Sequence, residues 1–251
     1  MSALLRSLFR FQESGLILVV IALGALLTAF SGSVRLPVFE TNPDGTRQRV
    51  FIVNEQGERV PQFVEKNKFL NAQNLAQLAK DTSFIAIMAV GMALVIISGG
   101  IDLSVGSTYA LASVLGAMTF HHFGPGGPGA DAPVWLGIGL GIVVCIGSAG
   151  LCGLVNGSLI VALRVHPFII TLGAMAILRG IAFVVTQGQS VGGFPPALRE
   201  VVRFEPAAGL SVVPLLVMVL VTIAGWIHLS RLAAGRRIYA VGGNCLLYTS
   251  D

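Results

Sequence analysis

Apolar residues fall in six long runs, Ser14–Phe30, Thr82–Ser98, Leu103–Phe120, Pro133–Leu163, Pro167–Thr186 and Leu210–Leu229. Each is long enough, or nearly so, to cross a hydrocarbon core of about 30 Å as a helix. None shows the strict two-residue alternation of an outer-membrane barrel strand. The apolar character runs all the way round each helix, as it does in a bundle bathed in lipid. The pattern predicts an all-α, polytopic membrane protein of about six spans. The fourth run would extend to roughly 45 Å at about 1.5 Å per residue, longer than the core, so it must tilt or break. Asn156-Gly157-Ser158 is the expected break.

Between the first two runs the pattern changes. Arg35–Glu40, Arg47–Val53 and Glu58–Phe63 are rich in strand formers, and Asn42-Pro43-Asp44-Gly45 and Asn54-Glu55-Gln56-Gly57 between them carry turn chemistry. A small β-rich insert over 33–68, built as a three-stranded meander leaning on the membrane domain, is the expectation. Asn71–Lys80 then reads as a short amphipathic helix with Asn71 as its cap and Leu75 and Leu78 towards the bilayer.

Composition agrees with a membrane protein: 54% of residues are hydrophobic and only 11% charged, against about 25% charged in a soluble domain. The net charge of +4 comes from basic residues scattered over links rather than gathered on a face, so membrane topology explains it better than nucleic acid does. The first run is retained as a helix, since Phe30-Ser31-Gly32-Ser33 is a poor signal-peptidase site. Arg6, Arg10, Arg164, Arg231, Arg236 and Arg237 fall on one side of a six-span chain. The positive-inside rule makes that side, and the N-terminus, cytoplasmic. The turn at Gly99–Asp102 then faces inward, while 33–81, His121–Ala132 and Gln187–Gly209 face outward. The basic residues of 33–81 are an exception that a long translocated segment permits.

Polar groups inside the runs are the functional candidates. Asp102, at the head of the third run, can cap that helix through the amides of Ser104 or Val105, and can also shape an inner gate. Arg179 lies too deep in the fifth run to reach the interface easily, so a partner among carbonyls or carboxylates inside the bundle is expected. Asn156 and Gln187 suit hydrogen bonds between helices. Gly137, Gly141, Cys145, Ala149, Gly153 and Gly157 recur every four residues and would form a groove into which another helix packs. Cys145 and Cys152 sit seven apart on one helix, too far for a disulfide. The histidines His121, His122, His166 and His228 lack metal-ligand spacing, so no metal site is expected. Ser148 has no partnered base, and the Gly124–Gly129 turn is not followed by a Lys-Ser/Thr pair, so neither a serine nucleophile nor a phosphate-binding loop is indicated.

The string Gly99-Gly100-Ile101-Asp102-Leu103-Ser104-Val105-Gly106-Ser107 resembles a signature of permeases from bacterial sugar ABC importers, in the ribose/xylose/arabinose/galactose branch. Further stretches are similar to that family: Ile87–Met92, Gly153–Gly157 with Pro167–Gly173, Leu178-Arg179-Gly180, and Gly235–Asn244. The resemblance implies a permease domain over 1–244 that pairs with a second permease subunit, identical or not, around a translocation path in the inner membrane. It implies a cytoplasmic ABC ATPase as a separate chain, with ATP and magnesium bound there. This chain is then not an enzyme and binds no cofactor. A periplasmic binding protein would deliver a pentose or hexose. Asp102, Ser104, Ser107, Asn156, Thr171 and Arg179 are the implied path or gate residues, and Arg236, Arg237, Gly242, Gly243 and Asn244 the loop facing the ATPase. The alternative is a self-sufficient secondary transporter or channel. It would call for paired broken helices or a carboxylate pair, and only one of each kind of feature is visible. The family continues past Asn244 with an Ala/Glu-rich helix. Cys245–Asp251 instead resembles translated adapter sequence, so a non-native tail on a C-terminally truncated permease is expected.

Overall fold

The structure, a computed structural model, describes residues 14–41, 47–54, 57–204 and 210–243. Arg6, Arg10, Asn244 and the stretch Cys245–Asp251 lie outside the described residues. Two compact units divide the chain: Met1–Ala79 with Ala207–Leu210, and Lys80–Pro206 with Ser211–Asp251.

The first unit opens with α1 (Ser14–Phe30), seventeen residues without a charge. Six short strands follow: β1 (Ser33–Pro37), β2 (Phe39–Thr41), β3 (Arg47–Arg49), β4 (Phe51–Val53), β5 (Arg59–Pro61) and β6 (Phe63–Asn67). All pairs are antiparallel, with β1 on β6, β2 on β3 and β4 on β5. This differs from a meander, because the first and last segments also pair and the figure closes. The closure has a cause in the sequence. Arg35-Leu36-Pro37-Val38-Phe39, Arg47-Gln48-Arg49-Val50-Phe51 and Arg59-Val60-Pro61-Gln62-Phe63 form a repeat of twelve residues. The chain passes between arms at Val38, Val50 and Gln62, and there three backbone bonds run in a ring. Val38 N–H donates to Gln62 O at 2.9 Å, Gln62 N–H to Val50 O at 2.8 Å, and Val50 N–H to Val38 O at 2.9 Å. A shift of twelve residues maps each bond onto the next, so the segment is a three-armed plate with pseudo-threefold symmetry. Pro37 and Pro61 each end a strand, where a missing N–H costs the ladder little.

Asn71 caps the next helix, accepting from the Asn74 N–H at 2.8 Å. That helix, α2, runs from Ala72 to Ile97 as one element, so the short amphipathic helix expected over Asn71–Lys80 is the first part of a longer one. No Gly or Pro stands between Ala72 and Val90 to stop it.

In the second unit α3 (Val105–His122), α4 (Val134–Leu163) and α5 (Pro167–Thr186) pack together, α3 being the shared neighbour. A short helix α6 (Pro196–Val202), started by Pro196, lies within the stretch Gln187–Gly209 expected to face outward. Then come α7 (Val212–Arg231) and α8 (Ala233–Gly243), which pack on each other. α4 is unbroken at Asn156-Gly157-Ser158. The Asn156 side chain is taken by Ser104, at the head of α3, rather than by its own backbone, and a single glycine lowers helix propensity without ending a helix. Among the described residues, Ala72–Ile97, Val134–Leu163, Pro167–Thr186 and Val212–Arg231 are long and apolar enough to cross a membrane. α1 is apolar but shorter, and the hydroxyls and histidines of α3 lower its hydropathy.

The small residues of α4 act in halves. A Cβ at Gly141 would overlap the Phe120 ring and one at Gly137 would overlap Phe123, while a Cβ at Gly116 of α3 would lie 3.0 Å from Cys145 Cβ. This half of the row is a seam into which α3 and its C-cap press their aromatic residues. Ala149 is half-buried. Gly153 and Gly157 face open space within this chain.

Candidate functional site

The α2–α3 turn carries the most polar chemistry inside the bundle. Gly99, at φ +82°, ends α2 in the left-handed region that glycine tolerates best. Its N–H donates to Ile96 O at 3.0 Å and Gly100 N–H donates to Val95 O at 2.9 Å, the paired bonds of a Schellman ending. The glycine pair therefore closes one helix so that the next can begin at Val105, five residues after Gly100.

Asp102 holds that beginning. One of its oxygens, Oδ1, accepts from Ser104 N–H at 2.7 Å and from Ser104 Oγ–H at 2.6 Å. The Ser104 hydroxyl in turn accepts from Asn156 Nδ2 on α4 at 2.8 Å. Because the amide can only donate here, the Ser104 proton must point at the carboxylate, and the direction of the whole chain of bonds is fixed. Ser104 is fully buried and Asn156 nearly so. In a low-dielectric interior such a network is stable only when each member is satisfied. Thr171 of α5, also buried, donates to Pro167 O at 2.9 Å and lies 3.4 Å from Ile101 O. Asp102, Ser104, Asn156 and Thr171, chosen from the sequence, are thus brought together around one turn that ties α3 to α4 and α5.

Ser107 and Arg179 meet elsewhere. Both line a cavity of about 260 Å³ between α3 and α5 with Leu103, Gly106, Ala110 and Met175. Arg179 also borders a more open cavity of about 540 Å³ with Ser113, Thr186, Gln189 and Ser190. The internal partner expected for Arg179 is absent: among the described residues it makes no hydrogen bond or ion pair, and its side chain is exposed along the groove. Gln187, expected to bond between helices, instead ends α5 with φ 53°.

At the far end of the chain, α8 returns to the same turn. A Cβ at Gly242 would overlap the Ile97 carbonyl oxygen, so the two backbones touch with no room between them. Gly235 is equally tight against His228 and Leu229, which sets the angle at which α8 leaves α7. Gly243 faces open space, and Arg236 and Arg237 are exposed.

Several contacts were not anticipated from the sequence. The loop after α5 is fastened to the end of α3 by His121 Nδ1 at 2.7 Å from Gly192 O and by an edge-on pair of Phe120 and Phe194 rings 6.1 Å apart. A third cavity, of about 500 Å³, adjoins it, lined by Phe120, Cys145, Phe194 and Arg199 among others. The signal was present in Phe120 and Phe123, three apart at the end of the third apolar run and facing Gly141 and Gly137, four apart.

The family model described as branched-chain amino acid transport system / permease component matches residues 74–247. The ribose import permease protein RbsC of Escherichia coli (strain K12) is 37% identical over 182 residues, 70% of this chain and 52% of that protein. The D-allose transport system permease protein AlsC of the same strain is 35% identical over 177 residues, 70% of this chain and 50% of that protein. The autoinducer 2 import system permease protein LsrD of Yersinia enterocolitica is 31% identical over 187 residues, 72% of this chain and 52% of that protein. The chain therefore spans about half the length of the curated relatives it matches. No solved structure matches it.

Proposed function

Because the chain belongs to this permease-component family, we propose that it is a transmembrane subunit of an ATP-binding-cassette importer that carries a monosaccharide. The match over residues 74–247 carries the reading, since it takes in the α3–α4–α5 bundle, the Asp102 turn and α8 together. The ribose and D-allose systems named among its relatives support a pentose or hexose as cargo.

In this reading the chain lies in the bacterial inner membrane with its N-terminus in the cytoplasm, and α1 and α3 join the four long helices to give six spans. The 33–68 plate then stands on the periplasmic side, where a binding protein delivers the sugar. A second permease subunit, identical or related, completes the translocation path. Gly153 and Gly157, open within this chain, supply small-residue surface for close approach of that subunit. ATP and magnesium are bound and ATP is hydrolysed by a separate cytoplasmic subunit, which α8 faces with Arg236, Arg237, Gly242 and Gly243. The groove between α3 and α5 serves as part of the path. A guanidinium in mid-span with no partner among the described residues is accommodated by water or by a polyol, and Ser107, Ser113 and Gln189 beside it supply further groups able to bond sugar hydroxyls. The Asp102–Ser104–Asn156 turn holds the inner end of that groove in register.

Reconstitution tests the reading. The full permease encoded at this locus, placed in proteoliposomes with its neighbouring ATPase and binding protein, should accumulate radiolabelled ribose or allose only when ATP is supplied on the ATPase side. Uptake that proceeds equally without the ATPase subunit would overturn it in favour of a self-sufficient transporter.

A further inference from the structure

The three-armed plate lies outside the stretch that matches the permease family, and no role for it follows from that match. Its two faces differ. In a sheet, paired residues share a face and successive residues alternate. Phe39 therefore shares a face with Arg49, Phe51 with Val53, Pro61 and Arg59, and Phe63 with Pro37, Glu65 and Arg35. The ring of bonds at Val38, Val50 and Gln62 is a rotation about one axis, so Phe39, Phe51 and Phe63 point to the same side of the plate. All three are about half exposed, at 45%, 55% and 52%. Arg49 lies over the Phe39 ring, 6.0 Å from its centre, and Arg35 pairs with Glu65 at 3.0 Å. Among residues with described side chains this side thus bears three arginines against one carboxylate. The opposite side carries aliphatic Leu36, Ile52, Val60 and Val64, with Glu40 against Lys66, and no excess charge.

The plate is also bolted to the end of α1. Asn67 Nδ2 donates to Thr28 O at 2.7 Å, Ser31 Oγ donates to Asn67 Oδ1 at 3.1 Å, and Lys68 N–H donates to Gly32 O at 3.0 Å. Phe63 lies four residues from that bolt and Phe39 six from Ser33, so these two rings stay within about 20 Å of the end of an apolar helix at roughly 3.3 Å per residue.

We propose that the Phe39/Phe51/Phe63 side of the plate docks on the surface of an anionic bilayer. Phenylalanine rings enter the boundary between headgroups and acyl chains, and arginines on the same side reach outward to phosphate, the arrangement by which amphipathic surfaces bind membranes. The charge excess selects anionic lipid, to which each basic group near the surface adds about a five-fold gain in binding. Docking rests on the reading of α1 as a membrane span, and the test separates the two.

The test uses the whole chain in nanodiscs, with Trp135 and Trp226 replaced by Phe and one tryptophan placed at a time. Probes at Phe51→Trp, Ile52→Trp and Leu23→Trp are read by quenching with brominated lipid, in phosphatidylcholine alone and with about a third phosphatidylglycerol. Quenching at position 51 should appear with the anionic lipid and fall several-fold in Arg49→Gln/Arg59→Gln, while position 52 stays unquenched. Position 23, in the middle of α1, should be quenched in both lipids; if it is not, the membrane reading of α1 fails, whatever the plate does. With position 23 quenched, three results would overturn docking: a probe at 51 unquenched in anionic discs, equal quenching at 51 and 52, or quenching at 51 indifferent to phosphatidylglycerol. The first of these would point to a protein partner on that side.

Discussion

Asp102 places both of its observed bonds on a single oxygen, and that decides what its substitutions do. An asparagine presents one carbonyl oxygen of the same geometry and can accept from both the Ser104 N–H and the Ser104 hydroxyl. Asp102→Asn should therefore unfold in detergent within a few degrees of the parent, with Ser104→Ala clearly lower. The alanine leaves the Asn156 amide without its acceptor in a buried site, at a cost of about 1–3 kcal/mol. Thermal unfolding followed by circular dichroism reads both. If Asp102→Asn keeps its stability yet loses transport, the charge itself works in the gate. Arg179 is tested differently, by access. Arg179→Cys, in a background without native cysteines, should react with a water-soluble thiol reagent although it lies in mid-span. Ile177→Cys, at 63% exposure on the same helix but away from the grooves, should resist. Equal reactivity at the two positions would remove the case for a water-filled groove.

At the scale of elements, the glycines of α4 divide into those that touch this chain and those that do not. Gly141→Ala puts a methyl group into the Phe120 ring, and overpacking of that kind costs about 1–3 kcal/mol. Gly153→Ala meets open space and should leave the isolated subunit unchanged. Gly153→Leu should likewise spare the subunit but weaken its pairing with a second permease. A drop in subunit stability for Gly153→Leu equal to that for Gly141→Ala would place Gly153 in an internal seam. The fourfold spacing was plain in the sequence, but spacing alone does not tell which neighbour a groove receives. Other elements show the same boundary. The apolar runs became helices because burial in lipid demands internal hydrogen bonding of every backbone group. The break proposed at Asn156 did not occur, because the polar side chain found Ser104 fifty-two residues away, a partner that local pattern cannot reveal. The strand content of 33–67 was legible from β-branched and aromatic residues. Its closure was not read, since it rests on a twelve-residue repeat that is weak at any single position and acts through backbone bonds. The Asp102 cap was legible because the partner amide is two residues away. That Arg179 has no partner among the described residues was not, because it depends on what α3, α5 and the loop after α5 leave open.

For the whole molecule, the direction of the chain through the membrane is the property on which the rest of the functional reading depends. The links 123–133 and 164–166 lie at opposite ends of α4, a helix of thirty residues that reaches about 45 Å. They cannot both stand on one side of a core about 30 Å thick. Arg164, left-handed at φ 53° where α4 ends, sits in a link of three residues before Pro167, short enough for its charge to weigh in orientation. Asp131 sits in the opposite link. A cysteine at Asp131 should accordingly label from outside intact cells with an impermeant maleimide, and one at Arg164 only after permeabilisation. The reverse pattern would turn the molecule over. It would carry α8 and its tight contact at Ile97 to the periplasmic side, where no ATP-hydrolysing subunit could meet them.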